Sequence, residues 1–64
     1  MCLSTVYTGE RAAEDGKLIE YVTNVDVDGD NIRLYDITGD IKDVRGRIRA
    51  VDLIKNTIFL DLAE

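Results

Sequence analysis

The chain has 64 residues, of which 45% are hydrophobic and 33% charged, with a formal net charge of -5 and a pI near 4.5. That balance is globular rather than disordered, and its sign disfavours phosphate backbones and anionic lipid surfaces as partners. One cysteine and no histidine exclude an intrachain disulfide and any Ser-His-Asp or Cys-His machinery, so an enzyme is not expected.

A single domain over 1–64 is the expectation, and at this length help from a partner subunit is plausible, because a short chain buries only about 60% of its unfolded surface. There is no apolar run of about 18 residues and no secretory pattern at the start. The single thiol also fits a reducing compartment. The expectation is a cytoplasmic protein with no membrane association.

From the N-terminus, Cys2 to Thr8 is rich in β-branched and aromatic residues and stops at Gly9, which reads as a first strand. Alternation puts Leu3, Thr5 and Tyr7 on one face and Cys2, Ser4 and Val6 on the other. Glu10 to Gly16 is a polar loop with room for a turn or two of helix at most. Lys17 to Val27, with Ile19, Tyr21, Val25 and Val27 alternating, reads as the second strand. Asp28-Gly29-Asp30-Asn31 is hairpin-turn chemistry, and Ile32 and Leu34 mark the returning strand.

Ile37-Thr38-Gly39-Asp40 is the next turn, followed by an extended segment from Ile41 to Arg49. Val44 and Ile48 lie on one side of it and Arg45, Arg47 and Arg49 on the other. At Ala50-Val51-Asp52-Leu53 the period slips, which predicts a bulge or sharp bend. After a turn at Lys55-Asn56, Thr57 to Leu62 alternates Ile58, Leu60 and Leu62 against Phe59 and Asp61 as the last strand. The fold expected is all-β, a small antiparallel SH3-like or Sm-like barrel of five to seven short strands. Tyr35, Ile37 and Phe59 fall opposite the inward sets, and are covered either by curvature and the long loop or by a two-fold interface between identical subunits.

Asn24 to Gly29 has the first half of a calcium-loop spacing, but Tyr35 stands where a bidentate Glu is required, so a plain hairpin turn is the better account. Arg45, Arg47 and Arg49, with Lys42 nearby, form a basic stripe. A nucleic-acid-binding or protein-interaction barrel using that face is the alternative function. Nucleic acid is disfavoured because thirteen acids outnumber eight bases, and the plainer account is a solvated face paired with cross-strand Asp and Glu.

Cys2 is the remaining feature. With Met1 removed, its amine, its thiolate and adjacent deprotonated backbone amides form an N/S donor set suited to square-planar Ni(II) or Cu(II). One chain has too few soft ligands for a tetrahedral zinc or iron–sulfur site, whereas two chains bring two thiolates to a shared site. An ordinary strand cysteine with no ligand role is the plainer account of the residue taken alone.

The ordered set Met1-Cys2-Leu3, Val25-x-Val27-Asp28-Gly29, Ile32-x-Leu34-x-Asp36 with Gly39, Val44-x-Gly46-Arg47-Ile48, Val51-Asp52-Leu53 and Ile58-x-Leu60 resembles the CooT family. These are small nickel-binding proteins of anaerobic bacteria and archaea, formerly classed as predicted RNA-binding proteins. The resemblance implies a homodimer that binds Ni(II) through Cys2 of both subunits. It also implies a role in nickel delivery or homeostasis linked to maturation of carbon monoxide dehydrogenase, with that enzyme or its nickel-insertion machinery as partner. Only Cys2 carries over as a metal ligand. Thr38 departs from the aromatic often found before the glycine in the family, and the loop from Gly9 to Gly16 is this chain's own.

Overall fold

The computed structural model describes residues 3–63. It has five strands, β1 Ser4–Thr8, β2 Lys17–Asp28, β3 Asn31–Asp36, β4 Ile41–Asp52 and β5 Thr57–Leu62, and one 3-10 turn at Glu14–Gly16 inside the first loop. Each strand pairs with the next, and β5 returns to β1 to close the sheet into a ring. Strands that alternate in direction leave the first and fifth pointing the same way. The closing β1–β5 seam is therefore parallel, while the other four are antiparallel.

The all-β expectation holds, and so do the hairpins. Gly29, with φ 63°, takes the first position of a two-residue turn between Asp28 and Asn31, where a positive φ matches the twist of the flanking strands. Between β3 and β4 the carboxylate of Asp36 organises the turn by accepting from the Thr38 N–H (2.9 Å), the Thr38 hydroxyl and the Asp40 N–H (3.1 Å). Those bonds, the Thr38 side chain's first, hold its pKa below the usual carboxylate value.

The interior is a cluster of Val6, Val22, Ile32, Leu34, Ile58 and Leu60, with Leu18, Ile19, Val25 and Val44 packed against it. Ile32 and Leu34 are fully buried, as period-two reading of β3 requires. In β2 the alternating series Ile19, Tyr21, Val25 and Val27 does not share one environment: Val22 is buried in the core, while Tyr21 and Val27 stand out in solvent. The pairing partners Val6↔Ile19 and Ser4↔Val22, then Val22↔Asp36 and Val25↔Leu34, show two register shifts along the strand. Tyr21, with φ 61°, falls inside the first of these, between Ile19 and Val22. Each shift exchanges the two faces, so a single period cannot describe the strand.

The slip expected near Ala50 is a bulge. Ile48 faces Leu60 and Ala50 faces Phe59, leaving Arg49 as the extra residue. At Gly46 the backbone of β5 passes so close that an added Cβ would sit 2.1 Å from the Asp61 carbonyl oxygen, which only glycine permits. The turn into β5 covers Leu53 to Asn56 rather than Lys55-Asn56 alone. The Asp52 carboxylate caps it by accepting from the Ile54 and Lys55 N–H groups at 3.1 and 3.0 Å.

The outward aromatics have separate fates. Phe59 stacks on Tyr7, its direct partner across the parallel seam, with centroids 6.0 Å apart. The Tyr35 hydroxyl donates to Asp26 at 3.0 Å. Ile37 stays exposed.

Candidate functional site

Cys2, the one residue singled out as a metal ligand, lies outside the described residues. What the structure describes is the place from which it extends, the start of β1. There Ser4 pairs with Val22 of β2, and the Thr5 N–H donates to the Asn56 carbonyl at 3.0 Å, alongside the Thr5↔Thr57 pairing with β5. Val6, two residues on from Ser4, is fully buried. Val6, which alternation sets on one face with Cys2 and Ser4, therefore belongs to the core rather than to a site at the strand start.

Both flanks of this strand start are apolar. On the β2 side Tyr21 is 57% exposed, and its carbonyl accepts from the N–H of Ile37, which is 61% exposed. On the β5 side the capped turn lifts Leu53 and Ile54 into solvent, at 81% and 93% exposure. Sequence reading set Tyr21 in one alternating series with Ile19, Val25 and Val27, used Leu53 only to mark the slip in period, and left Ile54 without a role. The only available signal was two adjacent large aliphatics within a turn, a position where polar residues are usual.

The basic stripe is brought together and neutralised at once. Arg45 meets Asp30 at 2.7 Å, Arg47 approaches Asp61 at 3.8 Å, and Arg49, the bulged residue, reaches both Asp61 and Glu10. On the neighbouring strand pair Arg33 clasps Asp43 through two hydrogen bonds, of 2.7 and 3.0 Å. The guanidinium partners hold Asp30 and Asp43 below the usual carboxylate range, chiefly by hydrogen bonding. Each named arginine thus faces a carboxylate, and the stripe offers little uncompensated charge to a phosphate backbone.

The calcium-like run resolves into hairpin. Asp26 accepts from Tyr35, Asp28 pairs with Asn31, and Gly29 makes the turn. Among the described residues no group of three His, Cys, Asp or Glu stands close enough to hold a metal ion. No helix of the described residues is long and apolar enough to cross a membrane.

Comparison with known proteins matches residues 1–61 to the family described as CO dehydrogenase accessory protein CooT. The chain is 37% identical over 43 residues to an uncharacterised protein of Archaeoglobus fulgidus, an alignment spanning 67% of this chain and 96% of that relative. It is also similar to a solved crystal structure of a protein assigned as CooT from Carboxydothermus hydrogenoformans. There the TM-score is 0.82 over 98% of this chain and 100% of the other, at 19% identity. At that identity the likeness speaks for the fold alone.

Proposed function

The chain belongs to the CooT family of CO dehydrogenase accessory proteins, and from that premise we propose that it carries nickel, held between two copies by the thiolates of their Cys2 residues. Scarcity of donors carries the reading. The sequence has one cysteine and no histidine, and the described residues gather no carboxylate cluster that would serve instead. A thiolate-based site therefore has to be built at the N-terminus, and it takes two chains to supply two thiolates.

The terminal amine, freed by removal of Met1, and neighbouring backbone amides complete a planar N/S set of the kind Ni(II) accepts. The chain's own part is to fix the strand start that bears the ligand. Ser4 and Thr5 are locked into two seams of the ring, which makes the strand start itself rigid. The metal is cargo, handed on to CO dehydrogenase or to the machinery that loads it. The protein does this work in the cytoplasm, where a lone thiol stays reduced.

The test is a Ni(II) titration of reduced, Met1-free protein, followed by absorption spectroscopy. Saturation at one metal per two chains, with thiolate charge-transfer bands, is the expected result. Cys2→Ser should lose both the bands and tight binding while keeping the fold, because Cys2 precedes the first core residue, Val6. Tight Ni(II) binding by that variant would sink the assignment.

A further inference from the structure

We propose that the bare edge of β4 between Arg47 and Asp52 receives a short extended segment of a partner protein, one that alternates apolar and acidic side chains, as an added strand of the sheet.

At 12 residues β4 is twice as long as β3 or β5, which have 6 each. β3 lies along Ile41 to Arg45 on one edge, and β5 lies along Gly46 to Asp52 on the other. The handover is at Gly46, whose N–H donates to the Asp30 carbonyl at 2.8 Å, where the β2–β3 hairpin ends. Past that point the edge that β3 occupied has no strand beside it.

The backbone groups along this stretch are aimed outward. The Leu60 carbonyl accepts from the Gly9 N–H at 3.1 Å and so points towards β1, away from β4, and Ile58, two residues earlier, points the same way. Their opposite numbers in β4, Ile48 and Val51, therefore turn their own N–H and C=O groups away from β5, on to the bare side. Among the described residues nothing pairs with those groups. A row of unpaired strand groups is a template for another strand.

Side chains set the chemistry of that strand. Ile48 and Val51 face Leu60 and Ile58 of the core yet stay 39% and 51% exposed, because nothing covers their open flank. On the other face stands Arg47. Its nearest carboxylate, Asp61, is 3.8 Å away and is held by Arg49 at 3.1 Å, so the Arg47 guanidinium, 82% exposed, makes no hydrogen bond among the described residues. An incoming strand that is apolar towards Ile48 and Val51 and acidic towards Arg47 satisfies all three. β5 shows the same pattern on the opposite edge, where Ile58, Leu60 and Asp61 face Val51, Ile48 and Arg47.

A second copy is a poor occupant, since two-fold pairing of this edge with itself sets the arginines of both chains against one another. The bulge at Arg49 interrupts the ladder, which limits addition to one short strand and opposes growth of a continuous sheet.

The probe is a short fluorescent peptide alternating isoleucine with glutamate, titrated into the full chain and followed by anisotropy and by amide hydrogen exchange. Saturable binding is expected, with slowed exchange at the Ile48 and Val51 amides and an affinity that falls with rising salt. Methylation of the peptide nitrogens should abolish binding, because it removes the donors that a ladder needs. Arg47→Glu, at an exposed side chain, should weaken binding about tenfold and shift preference to the same peptide with lysine in place of glutamate. Cys2→Ser should bind the peptide as wild type does, so a failure of the nickel reading leaves this edge untouched. No saturation at millimolar peptide, protection confined to amides elsewhere, binding that survives methylation, or an unchanged affinity in Arg47→Glu would overturn the inference. So would Ile48 and Val51 amides that are protected without peptide as protein concentration rises, the sign of a second copy on the edge.

Discussion

The β2–β3–β4 hairpins and the start of β1 are finished to different degrees. In the hairpins the ladder from Val25↔Leu34 to Asp28↔Asn31 runs without a break, and the outer face is closed by Arg33–Asp43 and Arg45–Asp30. Around β1 three register shifts crowd into the pairings of β2, a tyrosine sits in the left-handed region, and four large apolar side chains face water. The first region pairs its charged groups within the chain, although Val27 and Ile41 stay exposed there. The second bears strain and bare surface, the pattern of a part that completes itself against something else.

The largest effect expected from testing that contrast is on the hairpin side, at Gly46, where β4 meets the end of β5. Gly46→Ala drives a methyl group into the Asp61 carbonyl and should cost on the order of 4 kcal/mol, read as a collapsed urea midpoint. A normal midpoint would mean that β4 and β5 can separate there freely. Leu34→Ala, in the fully buried core under the hairpin, should cost about 3 kcal/mol at unchanged m-value.

Acid sharpens the comparison on the hairpin side. Asp30, Asp36 and Asp43 have folded pKa values below their ordinary ones. Their contribution is therefore complete above the ordinary carboxylate pKa of about 4 and is lost as pH falls through the lowered folded values. Thermal melts should be flat from neutrality to about pH 5 and decline below about pH 4. Asp30 and Asp43 are exposed and Asp36 only half-buried, so the decline should be shallow. Salt should blunt the part that depends on the arginine pairs and spare Asp36, whose partners are neutral donors. The salt-dependent part of the decline should therefore be the same in Asp36→Asn as in wild type, and a variant that lost it would contradict this division.

At the β1 end Tyr21→Gly should leave stability level or slightly raised, because glycine adopts φ 61° without penalty, yet weaken association. Loss of fold and dimer together would instead make Tyr21 an ordinary structural residue. The smallest expected effect is on nucleic acid. Arg45→Ala should change nothing, since the wild type should show no salt-sensitive RNA binding.

Much of the architecture was legible because β3, β5 and their turns obey a single period. Ile32, Leu34, Ile58 and Leu60 were readable as core residues, and the slip after Arg49 announced its bulge. Tyr21 was misread because alternation assumes an unbroken strand, and a residue of positive φ leaves no trace in composition. The arginines showed their spacing in sequence, but Asp30, Asp61 and Glu10, up to 39 residues away, became their partners only through the ring.

By itself the sequence determined the donor inventory, one thiol and no imidazole, and the hairpin order, because residue chemistry and period two are local properties. Only the tertiary structure decided that the fifth strand returns parallel to the first, which face of β1 looks inward, and that Tyr21, Ile37, Leu53 and Ile54 stand exposed. Those are non-local outcomes. They depend on ring closure and on accumulated register shifts, each of which exchanges inside for outside along everything that follows.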